Sequence, residues 1–428
     1  MSRQTALRGP TSTNERALAP DLARGLMLLF IVLANSVWYL WAAPGGGSTM
    51  HPEPEGSLDG VAQFFTVMAV DMRSYPMFAF LFGYGMVQLA ARQQAAGVSA
   101  RDVDGLLRRR NLWLLVFGFF HALLLWVGDV IGAYGLAGLL LGWLFFRRRE
   151  VTLLIWSTVL VGVMATFAAL SLLAMPFVGG ADVEEQGPFS ADFLAANIGD
   201  PSYLSAAADR VAIWPLAAVG QGLLTLTIPA AILLGFWAAR RRILEEPGRN
   251  RKLLRRVAAV GIPVGWLGGL PLALAQIGVW DLAPMQGDML AMPHMVTGLI
   301  CGLGYIALIA LVAQRVQERG RSGAVVAALS ATGRRSLSAY LAQSVLCAPL
   351  LAAWGLGLAV YLSSWTMFLF ATGVWLVTVV AAWAMERAGR RGPAEVLLRR
   401  LSYRRSSKDP GTPSPPEPPD EHQARTTP

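Results

Sequence analysis

The sequence consists largely of apolar runs long enough to cross a bilayer, separated by clusters of arginine. The clearest example lies within Arg108–Tyr134, where three consecutive arginines stop at an apolar run, 111–127, that only His121 interrupts. As a helix this run extends about 25 Å, close to the thickness of a hydrocarbon core. Because basic residues mark the cytoplasmic ends of membrane helices, we expect His121 inside the membrane and Asp129 at the far surface.

Composition supports an all-α fold, a polytopic membrane helical bundle. Of the 428 residues, 54% are hydrophobic and only 15% are charged, with a mean hydropathy of +0.48, whereas a soluble protein carries more charge. The net charge of +9 comes from basic residues between apolar runs, which predicts a lipid bilayer and no nucleic acid as partner. Cys301 and Cys347 both fall in apolar runs, so neither a disulfide framework nor a metal site is predicted.

The distribution of positive charge predicts about ten transmembrane helices, with both termini cytoplasmic. In this topology Arg73 and Arg210 are the only basic residues outside the cytoplasmic segments. Residues 1–20 form a cytoplasmic tail, 21–405 the transmembrane domain, and 406–428 a Pro/Ser-rich, disordered cytoplasmic tail. The predicted spans are 21–43, 61–91 (one long or broken helix), 111–127, 130–146, 151–176, 213–238, 257–277, 292–313, 336–356 and 364–385.

Polar residues share one face of the first span. Asp21 and Arg24 are three residues apart, and Asn35 returns to the face of Arg24 about three turns deeper. One interpretation is an ion pair at the inner surface and an asparagine that packs between helices. The other is a polar channel that starts at the cytoplasmic face.

A second polar stripe follows the ninth span. Its members recur every three or four residues, so they share a helix face that must point to the bundle interior or to a cavity. Arg334 stands at the cytoplasmic end of this stripe, where it could meet a phosphate-bearing ligand. Packing alone could explain the hydroxyl groups. The stripe contains Ser336, Tyr340, Gln343 and Cys347, with Ser344 adjacent.

His121 has two interpretations. It is either a neutral histidine hydrogen-bonded across helices, or a general base or proton relay. Asp129 follows eight residues later, too far along one helix for direct contact, so we expect the two to cooperate only through other helices. His294, beside Pro293 at an outer helix end, is expected to be structural or a surface residue. Asp71 and Arg73 are expected to neutralise each other.

Five motifs occur along the chain between residues 18 and 405: DLARG with the later Asn35, FAFLFGYG, HALLLWVGDVIGAYGLAG, GRRSLSAYLAQS and GPAEVLLRRLSY. Together they resemble the YeiB-like bacterial membrane proteins, over nearly all of residues 18–405. That family is largely uncharacterised, and its wider relatives are thought to include transmembrane acyltransferases that act on heparan glucosaminide or on bacterial polysaccharides. The polysaccharide enzymes share an arginine, ten residues and then a histidine in the first helix. Here Arg24 fits that pattern, but Asn35 stands at the histidine position, which leaves His121 as the remaining base.

Two functions remain open at this point, beside a purely structural or signalling role. The resemblance implies an acyltransferase-like enzyme of the bacterial inner membrane that uses cytoplasmic acyl-CoA to modify a small-molecule or glycan acceptor at the outer face. The alternative is a transporter or exporter of a small molecule, with or without proton coupling. In the enzyme hypothesis His121 and Asp129 are catalytic, and five residues line one donor cavity: Arg24, Asn35, Arg334, Tyr340 and Gln343.

Overall fold

The computed structural model describes residues 17–43, 49–178, 191–320 and 323–403. Sixteen α-helices and no strand occur in these ranges, which confirms the all-α prediction. The two predicted terminal tails, 1–20 and 406–428, lie almost entirely outside the described residues. The helices are α1 (Leu18–Ser36), α2 (Ser57–Ala69), α3 (Ser74–Ala95), α4 (Ala100–Leu124), α5 (Ile131–Phe145), α6 (Glu150–Ala174), α7 (Ala191–Gly199), α8 (Tyr203–Val219), α9 (Thr227–Arg240), α10 (Arg251–Gln276), α11 (Pro284–Met289), α12 (Ala291–Glu318), α13 (Ala324–Arg334), α14 (Ser336–Leu351), α15 (Ser364–Arg387) and α16 (Pro393–Ser402).

Within the described ranges, five helical segments are long and apolar enough to cross a membrane. A bent pair, Tyr203–Leu224 with Thr227–Arg240, makes a sixth if it counts as one span. The apolar helices α5 and α14 are shorter, with 15 and 16 residues. A multi-pass membrane protein is thus supported, and the exact number of ten spans stays a prediction. The five segments are Leu18–Tyr39, Glu150–Phe177, Arg251–Gln276, Pro284–Glu318 and Ser364–Arg387.

Two breaks divide predicted spans. Of the two alternatives for 61–91, a long helix or a broken one, the structure has the broken helix, since α2 ends at Ala69 and α3 begins at Ser74, with Met72 at a left-handed φ of 61° between them. The predicted sixth span, 213–238, was expected to be one helix and is not. There α8 and its π-helical end meet α9 at an angle of 53°, around the left-handed Leu226.

The basic segment 92–110, predicted as an inner loop, is mostly helical. α3 continues to Ala95, and α4 starts at Ala100 after Ser99, whose hydroxyl accepts the Asp102 N–H at 3.2 Å. Arginine is a good helix former, so a cluster of positive charge does not by itself end a helix. Arg110 is therefore held on the same rigid helix as His121.

The helix α1 lies at the centre of the bundle and packs against α3, α12, α13, α14 and α15. α4 and α5 form a tight hairpin beside it. Their close approach requires glycine at position 118, because a Cβ there would collide with the Asp129 carboxylate and with the Gly132 backbone. At the periphery, α6 exposes large apolar side chains such as Trp156 and Phe167, as expected of a helix that faces lipid.

Candidate functional site

The chain reversal between α4 and α5 brings His121 and Asp129 into direct contact. His121 Nδ1 lies 2.9 Å from Asp129 Oδ1, and both side chains are fully buried. The expectation that these residues could not touch was wrong. It assumed one continuous helix, whereas α4 ends at Leu124 and the chain turns back before α5 begins at Ile131.

Asp129 is fixed by the start of α5. Its Oδ1 accepts the Ile131 N–H at 3.1 Å, and its Oδ2 accepts the Gly132 N–H at 2.7 Å and the Trp214 indole N–H at 3.4 Å. N–H groups in the first turn of a helix stabilise a carboxylate by hydrogen bonding and through the helix dipole. Asp129 is only 1% exposed, so its side chain lies in the protein interior, and its expected depth at the far side of the membrane stays a prediction.

The other nitrogen of the His121 ring reaches Ser344 on α14. His121 Nε2 lies 2.8 Å from Ser344 Oγ. Since a carboxylate only accepts hydrogen bonds, a neutral His121 ring donates from Nδ1 to Asp129, and Nε2 accepts the Ser344 hydroxyl proton. The array Ser344–His121–Asp129 has the connectivity of a nucleophile, its base and a residue that orients the base.

In the sequence Ser344 is only a neighbour of the polar stripe on α14. It lies about 100° around the helix from Gln343 but only about 40° from Tyr340, so spacing places it near the stripe without assigning it a role. A serine at this depth in an apolar helix was the available signal. Its significance depends on the contact with His121, which comes from another helix.

A small cavity lies beside Ser344. Its volume is about 20 Å³, enough for about one water molecule, and Asn35, Tyr340 and Gln343 line it together with Ser344. The prediction that the α14 stripe faces the interior is confirmed, since Tyr340 and Gln343 are 2% and 3% exposed. The Tyr340 ring also contacts the His121 ring, with 5.3 Å between centroids.

Three buried polar atoms of residues that line this cavity have no hydrogen-bond partner among the described residues. They are the Trp126 indole Nε1, the Tyr340 hydroxyl and Oε1 of Gln343. The Nε2 of Gln343 donates to the Leu28 carbonyl at 3.2 Å. Buried polar groups normally have partners, so an unpaired donor and an unpaired acceptor beside one hydroxyl suit a ligand.

A much larger cavity, of about 830 Å³, contains the two arginines predicted to bind a donor. Arg24 and Arg334 both line it. Five arginines and three carboxylates belong to its lining: Arg24, Arg92, Arg110, Arg242 and Arg334, with Asp21, Glu245 and Glu395. Ile131, whose N–H donates to Asp129, lines it too. The expectation of a single cavity was wrong, because Asn35, Tyr340 and Gln343 line the small cavity instead.

The large cavity carries more positive than negative charge. Arg24 pairs with Asp21 at 3.4 Å, and Arg334 pairs with Glu386 at 2.9 Å. Nη1 of Arg110 has no hydrogen-bond partner within the described ranges. Burial and the nearby charge of Arg24 lower the pKa of Arg110 to about 10, and the group stays protonated at neutral pH.

Arg73 and His294 form a separate buried cluster. Arg73 is completely buried, and its Nη1 lies 3.0 Å from His294 Nε2, while Nη2 donates to the Gly265 carbonyl at 2.5 Å. The expected pairing of Asp71 with Arg73 through their side chains is absent from the described contacts. Asp71 Oδ2 lies instead 3.0 Å from His51 Nε2.

Arg210, predicted to lie on the outer side, is also buried. Its guanidinium donates to the Ala122 and Leu123 carbonyls at 2.9 and 3.1 Å. These carbonyls belong to the last turn of α4, whose C-terminal acceptors have no partner within the helix. Arg210 thus supports the end of α4 next to His121.

The described residues contain no group of three or more His, Cys, Asp and Glu side chains that could hold a metal ion. Cys301 and Cys347 are both free and buried.

Comparison with known proteins confirms the resemblance to YeiB-like proteins. A family described as "Protein of unknown function (DUF418)" matches residues 238–405. The uncharacterized protein YxaH of Bacillus subtilis is 26% identical over 92% of this chain and 96% of its own length. The uncharacterized protein YeiB of Escherichia coli is 26% identical over 91% of this chain and 97% of its own length. An uncharacterized 39.9 kDa protein in the amylase 3′ region of Bacillus acidopullulyticus is 32% identical over 40% of this chain and 45% of its own length.

Proposed function

We propose that this YeiB-like membrane protein transfers an acyl group from cytoplasmic acyl-CoA to a small-molecule or glycan acceptor at the outer face of the bacterial inner membrane. The observation that carries the proposal is the arrangement of the large basic cavity and the buried His121–Asp129 pair. Ile131 lines that cavity and donates to Asp129, which links the two.

The basic cavity suits the phosphate-bearing part of such a donor. Its volume of about 830 Å³ falls in the range of small-molecule sites, and guanidinium groups bind phosphate through paired charge-assisted hydrogen bonds. The unpaired Nη1 of Arg110 would gain a partner from an anionic ligand. The carboxylates of Asp21, Glu245 and Glu395 in the lining, with Glu386 paired to Arg334, offset only part of the positive charge of the five arginines.

The geometry of His121 suits a general base. Its Nδ1 is oriented by Asp129, and its Nε2 faces a hydroxyl, so the ring can take a proton from an oxygen nucleophile and later return it. Arg334 ends α13 and lies ten residues before Ser344, which belongs to the following helix α14. In this proposal the thioester end of the donor extends from the basic cavity toward Ser344. The asparagine at position 35 supports the choice of His121, since it cannot act as a base.

In the proposed topology the protein crosses the membrane ten times, and both termini are cytoplasmic. A reporter fused after Arg149 or Arg242 should then be cytoplasmic, and one fused at 200–202, between α7 and α8, should be external. Reporter activity on intact cells measures this directly. A cytoplasmic reporter at 200–202 would overturn the ten-span topology.

Calorimetric titration of CoA into the detergent-solubilised protein tests the donor site. Arg24→Ala, Arg110→Ala and Arg334→Ala should each weaken affinity about 10-fold or more, because a hydrogen bond to a charged group contributes about 1.5–3 kcal/mol. Affinity should also fall as salt rises. The matched control is Arg256→Ala, an exposed arginine at the start of α10.

The proposal would be contradicted by the absence of saturable binding in the wild-type protein, or by an Arg110→Ala variant that binds CoA as tightly as wild type. Transport would then be the function to pursue.

A further inference from the structure

We infer that Ser344 is a covalent nucleophile, so that the acyl group passes through an ester on the protein. This inference rests on the proposed function, because it adds a step to the same transfer. If His121 activated the acceptor hydroxyl directly, no serine would be required at its Nε2. In this protein His121 Nε2 is already hydrogen-bonded to Ser344 Oγ, at 2.8 Å.

The surroundings of Ser344 favour a reactive role. Its hydroxyl and the His121 and Asp129 side chains form one continuous array from three separate segments: α14, α4 and the start of the α5 turn. A hydrogen bond between membrane helices usually contributes only about 1 kcal/mol to stability. A purely structural His121–Ser344 hydrogen bond would form without a buried carboxylate on the other nitrogen of the ring. Burying an ionised aspartate costs free energy unless hydrogen-bond donors stabilise it. Besides His121, Asp129 has three such donors: the Ile131 N–H, the Gly132 N–H and the Trp214 indole N–H.

The small cavity supplies the remaining parts of an acyl-transfer site. Trp126 is 3% exposed and lines the cavity with Ser344, and its indole N–H has no partner among the described residues, so this N–H is a candidate donor to the oxyanion. The unpaired Oε1 of Gln343, on the neighbouring position of α14, can accept a hydrogen bond from an acceptor hydroxyl.

The proposed step is balanced without any further reagent. Ser344 Oγ attacks the thioester carbonyl and its proton moves to His121 Nε2. The carbon–sulfur bond then breaks, and the CoA thiolate leaves with the proton from His121. In the second half an acceptor hydroxyl attacks the seryl ester, His121 takes its proton, and Ser344 Oγ recovers that proton as the ester breaks.

The experiment is rapid acid quenching of the full-length, detergent-solubilised protein with radiolabelled acyl-CoA, followed by mass analysis of the peptide that carries Ser344. Wild type should carry one acyl group there. Ser344→Ala should lose the adduct and release CoA about 10³-fold more slowly, while binding CoA with wild-type affinity.

Two variants make the test sharper. Ser344→Cys should form a thioester, which neutral hydroxylamine cleaves, whereas the seryl ester resists it. Ser157→Ala is the matched control, since Ser157 is a buried serine whose hydroxyl donates to Leu153 of its own helix at 2.8 Å. It should leave the adduct unchanged.

The outcomes separate this inference from the proposed function. If wild type binds acyl-CoA and releases CoA, but Ser344→Ala does so at the wild-type rate, the covalent step is wrong and the acyltransferase proposal stands. If wild type neither binds nor cleaves acyl-CoA, the proposed function fails and the covalent step fails with it.

Discussion

His121 and His294 look alike in the sequence, since each is a single histidine near or within an apolar helix, and both are almost fully buried at 3% and 2% exposure. Their partners differ. His121 lies between a carboxylate and a hydroxyl beside a cavity, whereas a nitrogen of His294 faces the Arg73 guanidinium. Arginine only donates, so it occupies the lone pair that a base needs. Burial alone therefore does not identify a functional histidine; the hydrogen-bond partners do.

The packing around the two histidines also differs. A Cβ on Gly269 would come within 3.0 Å of the His294 ring, so α10 and α12 close tightly over it. Beside His121, Ser344 and Tyr340 border a cavity of about 20 Å³. The His121 array therefore borders open space for about one water molecule, and the His294 site has no comparable space described around it.

The largest effect is expected from the orienting carboxylate. Asp129→Asn should slow CoA release from acyl-CoA about 10²–10⁴-fold, because the amide no longer holds His121 in the tautomer that accepts a proton at Nε2. Asp71→Asn is the matched control: it removes the carboxylate from the other histidine–aspartate pair, His51–Asp71, and should change the rate little. Equal losses in both variants would break the distinction between the two pairs.

A smaller effect is expected from backbone packing at the α4–α5 hairpin. In Gly118→Ala the new methyl group meets Asp129 and Gly132, and overpacking of this kind costs typically 1–3 kcal/mol. Thermal unfolding in detergent should show the loss. Gly162→Ala on α6 places its methyl in open space and should be neutral or slightly stabilising. A stable, fully active Gly118→Ala protein would contradict this geometry.

The smallest effect is expected at the structural histidine. His294→Ala should lower the free energy of unfolding by about 1 kcal/mol, the usual size of a polar contact between membrane helices, and leave CoA release within a few-fold of wild type. Thermal unfolding and thiol release, measured on the same preparation, check both parts. Loss of activity without loss of stability would mean that His294 also takes part in the reaction.

The sequence predicted the helical class, the interior position of His121 and the convergence of Arg24 with Arg334. These follow from hydropathy and from the distribution of positive charge, which are local properties. The His121–Asp129 contact could not be predicted. The apolar residues that continue past Leu124 hide the point where α4 ends.

The role of Ser344 was out of reach for a different reason. Helical spacing describes which residues share a face of one helix, but the partner of Ser344 comes from α4, more than 200 residues earlier in the chain. The division of the interior into two cavities likewise depends on how α1 and α14 pack. Such contacts between distant helices are set by tertiary packing, not by the pattern along either helix.

In the proposed function His121 provides the base for acyl transfer, and the equally buried His294 does not. The most direct measurement is the rate of thiol release from acyl-CoA by wild type, His121→Ala and His294→Ala, each confirmed to be inserted in the membrane. We predict release by wild type and by His294→Ala, and a rate at least about 10²-fold lower for His121→Ala. A His121→Ala protein that releases CoA as fast as wild type would contradict the account.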